Sequence, residues 1–116
     1  MTTDFPQHPD QLTSDWLTKV LGYSVGGFKI TYFSEGTGVM SWVMGLNLDT
    51  AHDKPNSLIA KFPSPSEVNR DGANRYDMYE KEVKFYQSYA GKLDIQAPQC
   101  YFSAFEPSTK GFVVLL

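Results

Sequence analysis

The chain has 116 residues, of which 41 % are hydrophobic, 15 % aromatic and 20 % charged, with a net charge of −3. That length supports a core without covalent staples and allows one domain, not two. The composition excludes disorder, the lack of a Lys/Arg cluster argues against nucleic-acid binding, and a single cysteine, Cys100, forms no internal disulfide.

Residues 1–11 contain two prolines and no basic or apolar run, so they read as a flexible arm and not as a leader peptide. No stretch is apolar for long enough to cross a membrane, and together these features lead us to expect a soluble cytoplasmic domain with no membrane partner. Thr13 and Ser14 are N-cap candidates. Trp16, Leu17, Val20 and Leu21 follow at helical spacing, and Gly22 is a stop.

The pattern then changes to alternation. Phe28–Phe33, Trp42–Leu48 and Ser57–Phe62 each read as a strand. The polar turn Ala51–Asn56 separates the second from the third, which Pro63 closes. Pro63–Ala73 is rich in Pro, Ser, Asn and Gly and reads as a loop. Asn74–Tyr89 lacks Gly and Pro and reads as one long helix. Gln99–Phe105 and Phe112–Leu116 are the last two strands, joined by the turn Glu106–Gly111. The order predicts an α+β fold: a five-stranded antiparallel sheet, a short N-terminal helix and one long crossover helix after the third strand.

The continuous apolar run Phe112–Leu116 reads as a strand buried on both faces. Either the chain ends in a central strand, or these residues are the front part of a longer polypeptide. The second reading is preferred here. It predicts a domain over 12–116 cut at its fifth strand, whose apolar faces are partly exposed and which self-associates or packs on a following lobe.

On a helical wheel with Tyr76 at zero, Met78, Tyr79, Val83, Phe85, Tyr86, Tyr89 and Ala90 fall between roughly 180° and 340°. Asp77, Glu80, Lys81, Lys84, Gln87 and Ser88 occupy roughly 20° to 140°. Glu82 sits near 240°, inside the apolar arc. A carboxylate buried there requires a cation. In the third strand Leu58, Ala60 and Phe62 share one face and Ile59 and Lys61 the other, so Lys61 is again a lone charge in an apolar setting. Either the two neutralise each other, or Glu82 reaches solvent at the sheet edge and Lys61 snorkels outward.

Between the first two strands lies Ser34-Glu35-Gly36-Thr37-Gly38-Val39-Met40-Ser41, a G-x-G-x-x-S segment. It is either a plain turn or a backbone cradle for phosphate. It joins strand to strand, so it is not the dinucleotide fingerprint, which leads into a helix.

Glycine segment, strand lysine and helix glutamate, in this order, resemble the small lobe of the protein-kinase-like fold. The chain is most similar to the aminoglycoside-phosphotransferase and choline/ecdysteroid-kinase-like families. The resemblance rests on Gly36–Ser41, Leu58-Ile59-Ala60-Lys61 and Tyr79–Tyr86. Ala97–Tyr101 and Phe112–Leu116 are similar to the family's fourth and fifth strands, and Trp16–Leu21 to a helix preceding its core. The resemblance implies that Gly36, Thr37, Gly38 and Ser41 cover the phosphates of ATP, that Lys61 contacts the α- and β-phosphates, and that Glu82 holds Lys61. It also implies that Ile59, Ala60 and Val114 to Leu116 border the adenine. Ser41 replaces the third glycine of protein kinases, which the phosphotransferase families tolerate.

The family's catalytic aspartate and asparagine and its Mg2+-binding aspartate lie in a second lobe after the fifth strand, so no catalytic or metal-binding residue is assigned within this chain. The expected parent transfers a phosphoryl group from ATP to a small hydroxylated substrate held by that lobe; this chain alone is expected to be inactive. His8, His52, Asp49, Asp53, Asp71, Asp77 and Cys100 read as loop, surface or core residues. The alternatives are a non-catalytic α+β association module or a degenerate kinase-like nucleotide binder.

Overall fold

The computed structural model describes residues 5–33, 40–89 and 99–116. The arm's residues 1–4, the glycine-segment positions Ser34–Val39, and Ala90, Ala97 and Pro98 lie outside the described residues.

Helix α1 spans Ser14–Leu21. Thr13 caps it, its Oγ1 accepting from the Trp16 N–H at 3.0 Å, and Gly22 ends it at φ 81°, a left-handed position that glycine takes without steric cost. The strands are β1 Gly27–Tyr32, β2 Ser41–Asp49, β3 Ser57–Pro63, β4 Phe102–Glu106 and β5 Gly111–Leu115. They form one antiparallel sheet in the order β1-β2-β3-β5-β4, the α+β architecture the alternation predicts.

The helical crossover differs from the expected single helix. Helix α2 runs Glu67–Arg75 inside the stretch read as a loop, because Ser66 caps it, its Oγ accepting from the Asn69 N–H. The chain then turns at Asp77, whose φ of 54° and ψ of 37° are left-handed, and restarts as α3, Met78–Lys84, running on into a π-helical turn over Phe85–Tyr89. Aspartate tolerates this region better than most residues, so no glycine or proline marks the break.

Two cores flank the sheet. On one face α1 covers Met44, Leu46, Leu58, Ala60, Phe62, Val113 and Leu115. On the other, α2 and α3 bring Ala73, Tyr79 and Val83 onto Phe112 and Val114. Strand β5 is therefore buried on both faces as expected, with Phe112, Val113, Val114 and Leu115 at 0 % exposure within this chain. Helices α1 and α3 cover the two sides of β5, while Phe33, Val68 and Tyr76 elsewhere in the domain stay exposed. Residues 5–11 do not form a loose arm. Phe5 packs against the α1-side core, Pro9 is buried in a 3-10 turn over Pro9–Gln11, and the His8 ring meets Trp42 edge-on at 5.6 Å.

Among the described residues no helix is long and apolar enough to cross a membrane.

Candidate functional site

Strand β3 alternates as its sequence requires. Leu58, Ala60 and Phe62 are buried against the α1 side, and Ile59, Lys61 and Pro63 are half-buried on the side of α3. Lys61 pairs with Val43 on β2 and with Val114 on β5. Ile59, two positions back on the same face, exchanges both backbone hydrogen bonds with Leu116, at 2.9 and 2.8 Å. The ammonium of Lys61 thus rises from a floor of Val43, Ile59 and Val114.

Helix α3 lies over Phe112 and Val114 and turns Glu82 toward that floor, between the buried side chains of Tyr79 and Val83. The Lys61 Nζ donates to Glu82 Oε2 at 3.1 Å. Of the two readings open in the sequence, the mutual pair is the one present. The side chains keep 25 % and 24 % exposure, so the pair is partly desolvated but reachable from solvent. An ammonium has three N–H donors. Glu82 takes one, and the other two have no protein partner among the described residues.

The implied nucleotide residues do not all gather here. Ser41 starts β2 opposite Pro63, on the same face as Val43 and Lys61, and Leu116 joins the group beside Ile59. Ala60 does not. It is fully buried on the opposite face, because adjacent strand residues point to opposite sides, so of the implied pair Ile59 and Ala60 only Ile59 lies on the Lys61 face. Of the implied β5 residues Leu115 faces away with Ala60, and Val114 and Leu116 lie on the Lys61 side. Gly36, Thr37 and Gly38 lie outside the described residues.

Two features went unread in the sequence. The Phe33 ring lies over Gly45 on the Lys61 side of the sheet, its Cζ 3.2 Å from where a Cβ would stand, so a side chain at that position would press on the ring. Phe33 itself is 60 % exposed, which makes it an apolar extension of the Ile59 floor toward solvent. The second is the hydroxyl of Tyr79, which the helical wheel shows only as a core ring. It accepts from the buried Ser64 N–H at 3.1 Å and donates to the carbonyl of Met40, while the ring stacks on Phe112 at 4.5 Å. Burial pushes the Tyr79 phenol above its ordinary pKa; the Ser64 hydrogen bond and the Arg70 charge oppose that, and Glu82 adds to it. Ser64 also accepts on its carbonyl from the Arg70 guanidinium at 2.8 Å, tying the exit of β3 to α2.

A separate cleft of about 570 Å³ opens between the arm, α2 and the β4–β5 turn, lined by His8, Glu67, Arg70, Asp71 and Lys110 among others. Its cations and carboxylates are interleaved, it selects no one sign of ligand, and it does not include Lys61 or Glu82. We therefore place the candidate site at the ion pair, where among the described residues Lys61 and Glu82 are each other's salt-bridge partner. Among the described residues no group of three or more His, Cys, Asp or Glu is placed to hold a metal. No protein-family model matches the chain, and no curated protein or solved structure gives a significant match to it.

Proposed function

We propose that this chain is the N-terminal, nucleotide-binding lobe of an ATP-dependent phosphotransferase of the aminoglycoside-phosphotransferase and choline-kinase-like kind, acting on a small-molecule hydroxyl. The observation that carries the reading is the Lys61 ammonium, oriented by Glu82 at 3.1 Å on an apolar sheet face, with two donors unused by the described protein residues. Such a group suits phosphate oxygens, which take charge-assisted hydrogen bonds from a positioned cation. Ile59 and Leu116, side by side on the same face, offer an apolar border for a purine ring. The nucleotide supplies the transferable phosphoryl group with its Mg2+. This chain's contribution is to hold and orient its phosphates, and the metal ligands and the base belong to the second lobe.

Titration of the chain with ATP, followed by amide and side-chain chemical shifts, tests this. Saturable changes at Ser41, Val43, Ile59, Lys61 and Leu116 that disappear in Lys61→Ala are expected. An identical response in Lys61→Ala, or none in the native chain, refutes the assignment.

A second reading, a non-catalytic association module, draws on the exposed apolar side chains of α2 and its turn, Val68 at 79 % and Tyr76 at 64 %. It predicts no response to ATP and association lost on Val68→Ser/Tyr76→Ser.

A further inference from the structure

One phenol touches three separate pieces of this fold. Tyr79 stands in the first turn of α3, one turn before Glu82, and is 1 % exposed. Its hydroxyl accepts from the N–H of Ser64, the residue that follows β3, and donates to the carbonyl of Met40, the residue that precedes β2. Both hydrogen-bonding capacities of the hydroxyl on this axis are therefore used, and both partners are backbone groups. A core tyrosine needs only one partner to be satisfied. Here the second bond adds a fixed relation between elements.

The elements so joined are those the ion pair depends on. Lys61 rides on β3, whose exit is Ser64; Val43, opposite Lys61, rides on β2, whose start is next to Met40; Glu82 rides on α3. Helix α3 is also seated by Val83 in the core with Phe112 and Val114, and the turn that follows it by the Gln87 bond to the Ser103 carbonyl, but these contacts lie beyond its first turn. It is a short helix behind the left-handed turn at Asp77, it lacks a side-chain cap, and it ends in a π-helical turn. The Met40 side chain reaches toward α2, its Cε 3.5 Å from where a Cβ on Gly72 would stand. The stack of Tyr79 on Phe112 fixes the ring, and the hydroxyl fixes how far the helix stands from the two strand ends.

We propose that Tyr79 is a positioning residue for the candidate site: its hydroxyl locks α3 to the ends of β2 and β3, and so sets Glu82 at hydrogen-bond distance from Lys61. This rests on the nucleotide reading only for its effect on ATP. The structural coupling stands apart from it.

The test is a cycle in the full chain, with Tyr79→Phe keeping the ring and removing the hydroxyl. Amide exchange at Ser64 should quicken by about ten-fold or more, as the bond to its N–H is lost. The dissociation constant for ATP should rise about three- to ten-fold. Glu82→Gln should weaken ATP binding several-fold in the native background but change it little in Tyr79→Phe, where the carboxylate is no longer held in place. Val113→Ala, a buried deletion on the opposite face of β5, is the control for lost stability, and it should leave ATP affinity unchanged. Equal effects of Glu82→Gln in both backgrounds overturn the proposal, as does unchanged exchange at Ser64. If the native chain does not respond to ATP, the nucleotide reading fails. The Lys61–Glu82 coupling, measured by denaturant unfolding in the native and the Tyr79→Phe backgrounds, then decides the positioning role. An undiminished coupling in Tyr79→Phe overturns it. If Tyr79→Phe does not fold, native-state exchange of Ser64 and Lys61 in the native chain across a denaturant series decides: exposure of the two in one joint opening supports the lock, and independent openings overturn it.

Discussion

Replacing the two charges singly and together measures what the pair is for. At 3.1 Å the gross Coulomb attraction is about 5 kcal/mol with an effective dielectric of 20 and about 1 kcal/mol in bulk water. Both side chains keep about a quarter of their exposure, so the desolvation they suffered and the attraction they gained are both intermediate. A net coupling of about 1–2 kcal/mol follows, between that of an exposed pair and that of a fully buried one. Lys61→Met leaves the Glu82 carboxylate against Tyr79 and Val83 without its cation and should cost about 2 kcal/mol. Glu82→Leu leaves the ammonium over Val43, Ile59 and Val114 and should cost a similar amount. The double variant, apolar on an apolar face, should return to within about 1 kcal/mol of the native chain. Urea unfolding read by the fluorescence of Trp16 and Trp42 gives the cycle. Since 1 kcal/mol shifts the midpoint of a domain this size by roughly 4 °C, thermal melts check it independently. A coupling below about 0.3 kcal/mol would show that the two charges do not sense each other in solution. The reading of the site would then have no physical basis. A double variant that recovers stability but not ATP binding is the result expected of a pair retained for function.

Two further outcomes are expected. Because the folded-state pKa of Tyr79 is raised above that of the unfolded chain, near 10, its contribution to stability is intact below that pH and is lost as the pH rises through the folded value. Unfolding midpoints should therefore fall above about pH 10, and less steeply in Tyr79→Phe; equal slopes refute the burial argument. At Asp77, held at φ 54°, Asp77→Val should cost about 1–2 kcal/mol in denaturant unfolding and Asp77→Gly almost nothing, whereas similar losses for both would mean that the side chain and not the backbone matters there.

Much of this fold was legible because local chemistry and global placement agree. Thr13 and Gly22 bracket α1 in the sequence as they do in space, and the alternation of Leu58 to Phe62 names the buried face of β3 before any neighbour is known. The two members of the ion pair were legible for a related reason, since Lys61 and Glu82 are each the single charge on an apolar face, but the pattern left open whether they meet or reach solvent separately. What stayed hidden depends on interactions that sequence spacing does not carry. Pro63, Pro65 and Gly72 signal a loop, yet Ser66 starts a helix among them, and Gly72 is tolerated inside it where the Met40 side chain approaches. The turn at Asp77 has no glycine to announce it, and it shifts the wheel on which Met78 reads as buried, leaving that residue 43 % exposed at the start of α3. Tyr79 is an apolar position on any helical plot; only the meeting of two strand ends gives its hydroxyl something to do.

The same helix carries a second ion pair, and the contrast between them bears on function. Glu80 and Lys84, one turn apart on α3 at 3.4 Å, sit on the face turned to solvent with exposures of 36 % and 64 %. That pair is the ordinary decoration of an exposed helix, worth a few tenths of a kcal/mol and replaceable by many polar residues. The Lys61–Glu82 pair joins helix to strand across an apolar face, where two aliphatic side chains of similar size would satisfy the core with no desolvation cost. Stability alone gives no reason to place charges there. A lysine held in position with two donors unused among the described residues does have a use if something anionic is to be received, and the apolar surface formed by Phe33, Ile59 and Leu116 beside it suits a ligand that is flat at one end and charged at the other.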